Sequence, residues 1–455
     1  MSDYFIAGDA PGARPIQAIL AADFQTYLSG RPSHIVKLCE TADFQAQKGR
    51  VLLVPASDGS LERVLFGLGD SPDPMMVSGL SASLPSGDYS LSGLPRDMSP
   101  TLAALAWALG GYKYTRFKKS DRMPPRLVLA DGVDAAEARR LHAAIVLVRD
   151  LVNTPPNLMG PEGLEAAARA VAERCGAAIE VVSGEELTKG YPLVAAVGRA
   201  SAEAPRYVEL TWGHADARKV ALVGKGVTFD SGGLDLKSGS NMRLMKKDMG
   251  GAAHALGVAQ YLMESDAPIR LSVHIPIVEN AVGAGAFRPS DVIVSRAGLS
   301  VEIDDTDAEG RLVLADALTR ASELEPELIV DFATLTGAAR VAVGAEIAPF
   351  FANQDPLASD IEAAGKEMAD PVWRLPLWQG YEADLESPVA HIKNLGGPMG
   401  GAITAALFLK RFVKAPNWAH FDVYSWNAKD RPGRPAGGEA QALRAVARMI
   451  RKRFG

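Results

Sequence analysis

The sequence predicts an α/β protein of two domains, a smaller amino-terminal one and a larger carboxy-terminal one with a mainly parallel central sheet flanked by helices. Three observations carry this expectation. Short apolar runs of strand length alternate with longer segments of helical periodicity along most of the chain. The 455 residues are more than a single core of ordinary size organises. A helical stretch then runs into Val-Asn-Thr-Pro-Pro-Asn at 152–157, where two prolines stop it and mark a boundary.

In the first domain, Val51 to Pro55 and Arg63 to Leu68 read as strands, Thr101 to Phe117 as a helix and Arg126 to Ala130 as a strand. No concentrated cluster of acids, histidines or phosphate-type glycine loops falls there, so residues 1–134 are expected to serve as a scaffold or assembly domain. Ala135 to Leu151 keeps helical spacing, which makes 135–155 a linker helix and leaves 156–455 as the larger domain, where the candidate site residues fall. Within it, strands are expected at Lys219 to Val223, Ile269 to Val278 and Leu328 to Ala333. Helices are expected from Gly250 to Met263 and from Leu312 to Leu324. Strand and helix in turn imply a parallel sheet covered on both faces. Ligands of such sheets sit beyond the carboxyl ends of the strands, and the charged residues of interest fall just after Val223, Ile303 and Phe332.

Composition narrows the function classes. Hydrophobic residues at 47% and charged ones at 22% exclude disorder, collagen-like repeats and a whole-chain coiled coil. A net charge of -6 argues against nucleic acid as the main partner. The start, Met-Ser-Asp-Tyr-Phe-Ile, lacks the basic and apolar regions of a signal peptide, and no run approaches the roughly 20 apolar residues of a membrane helix. A cytoplasmic protein without a membrane partner is expected. Cys39 and Cys175 are far apart and have no thiol neighbour in sequence, which excludes a disulfide framework and a thiolate zinc site.

The most informative stretch is Asp-Thr-Asp-Ala-Glu-Gly-Arg at 305–311. If it is extended, Asp305, Asp307, Glu309 and Arg311 project to one side, continuing the face that Val301 and Ile303 turn to the core. Three carboxylates on a buried face stay ionised only with hydrogen bonds, counter-charge or metal, and Arg311 alone is too little. The heptad therefore reads as half of a metal site. A candidate second half is Gly-Lys-Gly-Val-Thr-Phe-Asp-Ser-Gly-Gly-Leu-Asp-Leu-Lys at 224–237 with Met-Lys-Lys-Asp-Met-Gly-Gly at 245–251, where Lys225, Asp230, Lys237 and Asp248 stand among glycines that let backbone approach a ligand; on charge alone each of these reads as a solvated loop residue, and only their joint pattern sets them apart.

Rival chemistries fail on the residues. Asp230-Ser231-Gly232-Gly233 resembles the nucleophile turn of trypsin-like proteases, but those are disulfide-bearing β-barrels and this is a βαβ chain. Gly224-Lys225 has no upstream P-loop glycine, and Gly226 replaces the Ser or Thr that would hold magnesium. No His-Glu-x-x-His occurs among the seven histidines, and His254 and His420 read as packed, hydrogen-bonded residues.

These motifs together closely resemble the signatures of the leucyl aminopeptidase (cytosol aminopeptidase) family. The likeness extends, in order, to Asp-Leu-Val-Asn-Thr-Pro-Pro-Asn at 150–157, Glu-Asn at 279–280, Arg-Pro-Ser-Asp at 288–291, Ala-Thr-Leu-Thr-Gly-Ala at 333–338 and Gly-Gly-Ala-Ile-Thr-Ala-Ala at 400–406, and so covers roughly residues 150 to 430. The resemblance implies a two-metal aminopeptidase that hydrolyses the amino-terminal residue from short peptides. It assigns one metal to Asp230, Asp307 and Glu309 and the other to Lys225, Asp230, Asp248 and Glu309. Oxygen ligands suit Zn²⁺, Mn²⁺, Mg²⁺ or Co²⁺. Lys237 is implied to stabilise the oxyanion, and Arg311, which stays protonated, to hold a bicarbonate that shuttles the proton. Met245, Thr334 and Gly337 match positions lining the pocket for the first side chain, with an apolar residue such as Leu or Met favoured. A homohexamer with sites facing an interior cavity is also implied. Three features depart from or extend this pattern: Asp305 stands where the family usually has Asn, Arg434-Pro-Ala-Gly-Gly-Glu-Ala-Gln differs from the usual glycine-rich turn, and the last helix ends in Arg448, Arg451, Lys452 and Arg453. The alternatives within reach are a dedicated dipeptidase, such as one acting on Cys-Gly, and a family member that also binds DNA.

Overall fold

The computed structural model describes residues 4–8 and 10–455. Contacts divide the chain into two compact units, Met1–Ala143 with Lys429–Ala436, and Ala144–Ala428 with Gly437–Gly455. The division runs through the helix Ala135–Asn153, which lies within the 135–155 segment read as a linker.

The first unit holds a six-stranded sheet of β1 (Phe5–Ile6), β2 (Arg14–Leu20), β3 (Val51–Pro55), β4 (Leu61–Gly69), β5 (Asp88–Ser92) and β6 (Arg126–Val128), in the order β1-β6-β5-β2-β4-β3. All neighbours are parallel except the β3–β4 hairpin. Its long helix spans Pro100–Gly110 rather than reaching Phe117. Ser99 caps its start by accepting from Leu102 N. Gly110 and Gly111, the poorest helix formers after proline, end it, and Phe117 lies exposed beyond.

In the second unit, β7 (Ala178–Ser183), β8 (Arg206–Trp212), β9 (Arg218–Gly224), β10 (Gly226–Asp230) and β11 (Ile269–Asn280) belong to a nine-stranded sheet. A separate three-stranded sheet takes β12 (Val292–Val294), β13 (Ser300–Glu302) and later β17 (Ile392–Lys393). The large sheet is completed by β14 (Leu328–Ala333), β15 (Ala348–Ala352), β16 (Val372–Arg374) and β18 (Asn417–Asp422). Its centre, β18-β14-β9-β11, is parallel, and antiparallel pairs occur toward the edges. Along β9 the apolar residues alternate: Ala221 and Val223 join the core under the helix Glu309–Glu323, whereas Val220 and Leu222 point to the opposite face.

The helix Gly250–Glu264 packs on β9 and β14. Gly251 makes this close approach possible, because a Cβ there would stand 2.1 Å from the carbonyl oxygen of Phe332. The carboxyl ends of β9 and β14, the starts of the helices at Gly250 and Glu309, and the loop after β10 therefore converge. The terminal helix Leu443–Phe454 spends its basic residues locally: Arg448 and Lys452 pair with Glu367, and Arg453 with Asp360 at 2.8 Å. No helix among the described residues is long and apolar enough to cross a membrane.

Candidate active site

Every charged residue singled out in the two sequence clusters lines or underlies one cleft of about 590 Å³ in the second unit. Lys225 follows directly on β9, and its backbone N donates to Phe332 O at 3.0 Å, so the central strands fix it. Asp230 ends β10. Asp248 sits in the short 3₁₀ turn Met245–Met249 that leads into the Gly250 helix. Glu309 and Arg311 lie on the first turn of the helix Glu309–Glu323, and Asp307 lies just before it.

The heptad does not adopt the extended form that its alternation suggests. β13 ends at Glu302, the chain turns, and a helix begins at Glu309. Asn394 compels the turn: its Oδ1 accepts from Asp304 N at 2.7 Å and Asp305 N at 3.2 Å, and its Nδ2 donates to Asp305 O at 2.6 Å. Asp305 tightens it further by accepting from Asp307 N at 2.7 Å. Asp307 and Glu309 thus meet across a turn and a helix start. The helix amino terminus itself favours the Glu309 charge.

One carboxylate oxygen from each of Asp230, Asp307 and Glu309 lies within 4.8 Å of the others, an arrangement with the spacing of metal ligands. Asp230 Oδ1 accepts from Asn280 Nδ2 and Gly232 N, both at 2.9 Å, which leaves Oδ2 facing Lys237 Nζ at 2.8 Å. Lys237 also meets Asp307. Deeper in, Lys225 Nζ lies 2.7 Å from Asp248 Oδ2, 2.8 Å from Glu309 Oε1 and 2.9 Å from Thr334 O. A Cβ on Gly310 would stand 2.6 Å from Lys225 Cε, so only glycine admits the lysine at this point.

Electrostatics follow from burial and crowding. Burial and the neighbouring Asp230 push Asp307 up to about 7, and the same causes hold Glu309 well above its usual value. Burial works against the charged form of Lys225, but Asp248, Glu309 and Asp230 outweigh it and raise the lysine. Asp248 goes the other way: burial raises it, and Lys225 and Lys247 pull it down. The protein alone therefore leaves a carboxylate cluster short of positive charge, which divalent cations would supply. The oxygen donors fit hard or borderline ions, and Lys225 adds a nitrogen once deprotonated.

Arg311 is buried, and its Nε and Nη1 have no partner among the described residues. Burial lowers it to about 10, which keeps it protonated at neutral pH. A buried cation with two idle donors fits a small planar oxyanion.

Met245, Thr334 and Gly337 all line the cleft. Thr334 Oγ1 donates to Asp248 Oδ1 at 2.7 Å, which ties this wall to the carboxylates. Asp422 fixes the following loop by accepting from Leu335 N at 3.0 Å and from Thr336 N and Oγ1 at 3.1 and 2.6 Å.

Several contributors escape sequence reasoning. Asn280 stands in the Glu-Asn motif at 279–280 and Asn394 in the loop before Gly400, but neither carries a local signal of its contact. Asp422, and Tyr424 on the lining of the same cleft, have no signal at all. Lys247 was legible only as a neighbour of Asp248.

Comparison with known proteins finds relatives along nearly the whole chain. Residues 146–447 match the model described as the cytosol aminopeptidase family, catalytic domain, and residues 14–130 match the M17 aminopeptidase, N-terminal domain. A probable cytosol aminopeptidase of Stenotrophomonas maltophilia is 37% identical over 441 residues, 90% of either chain. The crystal structure of a cytosol aminopeptidase from Coxiella burnetii superposes with a TM-score of 0.95 at 42% identity, covering 99% of both chains. The bottromycin maturation enzyme BotP in complex with Mn superposes with a TM-score of 0.88 at 34% identity, covering 97% of this chain and 99% of that one.

Proposed function

The chain belongs to the cytosol aminopeptidase family and is a peptide-hydrolysing aminopeptidase, and from that premise we propose that it removes the amino-terminal residue of short peptides at a centre of two divalent metal ions. The observation that carries this reading is the convergence of Asp230, Asp307 and Glu309 oxygens within 4.8 Å, beside Lys225 and Asp248, at the carboxyl ends of the central strands.

Asp230, Asp307 and Glu309 would hold one ion, and Lys225, Asp230, Asp248 and Glu309 the other. Zn²⁺ or Mn²⁺ suits this set, and Mg²⁺ or Co²⁺ is compatible with its oxygens; the Mn-bound BotP structure supports manganese by likeness. When bound, the ions supply Lewis-acid polarisation and a water of lowered pKa. The chain's own residues do the rest. Lys237 Nζ, held between Asp230 and Asp307, is a fixed ammonium that donates to the oxygen on which negative charge develops. Asn280 and Gly232 N keep the Asp230 carboxylate in one orientation. Arg311 would hold bicarbonate, whose proton transfer spares the guanidinium from acting as a base. Met245, Thr334 and Gly337 would border the first side chain, and an apolar residue such as Leu or Met is the reference substrate. A homohexamer in the cytoplasm, with sites on an interior cavity, would limit substrates to short peptides.

The reading is tested by assaying purified protein on Leu-p-nitroanilide and a dipeptide panel, before and after chelation and readdition of Zn²⁺ or Mn²⁺. Activity should vanish with the metal and return with one of them. Hydrolysis that survives complete chelation, or that no metal restores, would overturn it.

A further inference from the structure

The wall of the cleft that carries Met245 and Gly337 is not apolar. Lys247, two residues after Met245, lines the cleft although the residue is only 2% exposed. Its ammonium makes no hydrogen bond and no ion pair among the described residues. Its Nζ stands over the Tyr424 ring, 4.9 Å from the centroid; burial lowers this lysine to about 8 while Asp248 works to raise it, so it is mainly protonated at neutral pH. Arg340 covers the same ring with Cζ at 4.7 Å from the centroid. Among the described residues the guanidinium of Arg340 has one hydrogen bond, from Nη1 to Thr336 O at 3.1 Å, and no carboxylate partner. It reaches the pocket directly, because Nη2 is 3.6 Å from where a Cβ on Gly337 would be.

Two cations beside one ring, one of them almost wholly buried, carry a desolvation cost that native proteins offset with an anion. The carboxylates closest at hand are engaged elsewhere. Asp248 is held by Lys225 and Thr334, and Asp422 by the amides of Leu335 and Thr336 with the Thr336 hydroxyl. The charge of Asp248 reaches Lys247, but among the described residues no carboxylate pairs with either cation at the wall where the first side chain of a peptide would lie. A cation–π contact to Tyr424 holds the two side chains in place without neutralising them.

We propose that Lys247 and Arg340, flanking Tyr424, form a carboxylate-binding subsite that makes peptides with an amino-terminal Glu or Asp preferred substrates. This rests on the aminopeptidase reading and names the substrate class of that site. Met245 and Thr334 would cover the side chain's methylenes, and the two cations would take its charge. Cleavage of an apolar first residue would continue, at a lower rate, because such a side chain leaves both cations unpaired. The same cations would also suit the carboxyl terminus of a dipeptide, so the test must separate side-chain from terminal carboxylate.

The Mn²⁺-loaded wild-type enzyme is assayed on Glu-, Gln- and Leu-p-nitroanilide, which carry no terminal carboxylate, and on Leu-Gly against Leu-glycinamide. Glu should exceed its neutral isostere Gln in kcat/KM by tenfold or more. Equal rates for Glu and Gln, with Leu cleaved, would overturn the subsite and leave the aminopeptidase standing. Cleavage of none of the three would overturn the aminopeptidase reading itself. A tenfold excess of Leu-Gly over Leu-glycinamide, without a Glu preference, would move the carboxylate to the peptide's terminus and overturn the assignment to the first residue. In Lys247→Met and Arg340→Gln the Glu-to-Gln ratio should fall toward one, and Arg340→Lys should recover part of it. An unchanged ratio in both would also overturn the proposal, and the wild-type comparison holds even where a variant fails to fold.

Discussion

The two walls of the cleft use the same residue types to opposite ends. On one, Lys225 and Lys237 are each locked between carboxylates, Asp248 with Glu309 and Asp230 with Asp307. On the other, Lys247 and Arg340 contact a tyrosine ring and a carbonyl oxygen and form no ion pair among the described residues. Counting charges over the whole cleft would hide this. What matters is which charges are already matched: the first wall has an excess of acid and asks for cations, the second has an excess of cation and asks for an acid. A lysine in such a cleft is informative through its partners, not through its presence.

The largest expected effect breaks the acidic wall. Glu309→Gln removes a charge from the oxygen cluster while keeping the shape, and should lower activity by more than about 10²-fold, beyond the loss typical of a residue that only orients a ligand. Bound Mn²⁺, measured by atomic absorption after dialysis, should fall with it. A variant that kept its metal and its rate would remove Glu309 from the centre. Next comes Lys237→Met, expected to cost about 10² to 10³ in kcat with little loss of metal, as for removal of one oxyanion donor. Loss of metal rather than rate would recast Lys237 as a counter-charge to Asp230 and Asp307.

The walls should also respond differently to pH. Asp307, raised to about 7 by burial and Asp230, is mainly protonated at pH 6 and mainly ionised at pH 8. Cations bind the ionised form, so metal affinity should weaken as pH falls below 7, by about tenfold per pH unit for one proton released. Glu309, also raised, and Lys225, which must lose its proton to act as a ligand, steepen the dependence in the same direction. Calorimetry of Mn²⁺ binding in buffers of different ionisation enthalpy would count the protons. Binding without proton release would show that the carboxylates are ionised before the metal arrives.

The acidic wall was legible in the sequence through the joint pattern of its motifs, since a single Lys or Asp in a glycine-rich loop reads by itself as a solvated surface residue. Lys225 after β9 and Asp248 before the Gly250 helix are of this kind. Their spacing reports a strand end or a helix start directly. The conformation of 305–311 was not legible, because an every-second-residue pattern of acids has the signature of an extended face whether or not the chain turns. What decides is Asn394, which satisfies the amides of Asp304 and Asp305 from some ninety residues away. Periodicity reports faces of local elements and carries no trace of a distant acceptor. The cationic wall was hidden for the same reason, since Lys247, Arg340 and Tyr424 come from three separate elements. Asn394→Ala should therefore leave the part-buried amides of Asp304 and Asp305 and the buried Ala308 carbonyl without this partner, at up to about 1–3 kcal/mol for the buried group and less for the others. A lowered thermal midpoint with weaker metal binding would result, and an unchanged midpoint would mean that the helix start at Glu309 sets the turn by itself.

The smallest effect is expected from Asp305→Asn, the change that restores the residue usual in the family. Asp305 is half-buried, and the oxygen that matters is Oδ1, which accepts from Asp307 N at 2.7 Å. An asparagine oxygen can accept the same bond, so the turn that presents Asp307 should survive. The charge is a separate matter. Burial raises Asp305 and Asp235 adds to the rise, which weakens its hold on a proton-free state and with it any pull on a metal ion. Activity and metal affinity should then change by less than about threefold, under 1 kcal/mol. A larger loss of metal affinity in Asp305→Asn would instead place this carboxylate among the charges that draw cations to the acidic wall. In that case the boundary between matched and unmatched charge in the cleft would shift outward by one residue.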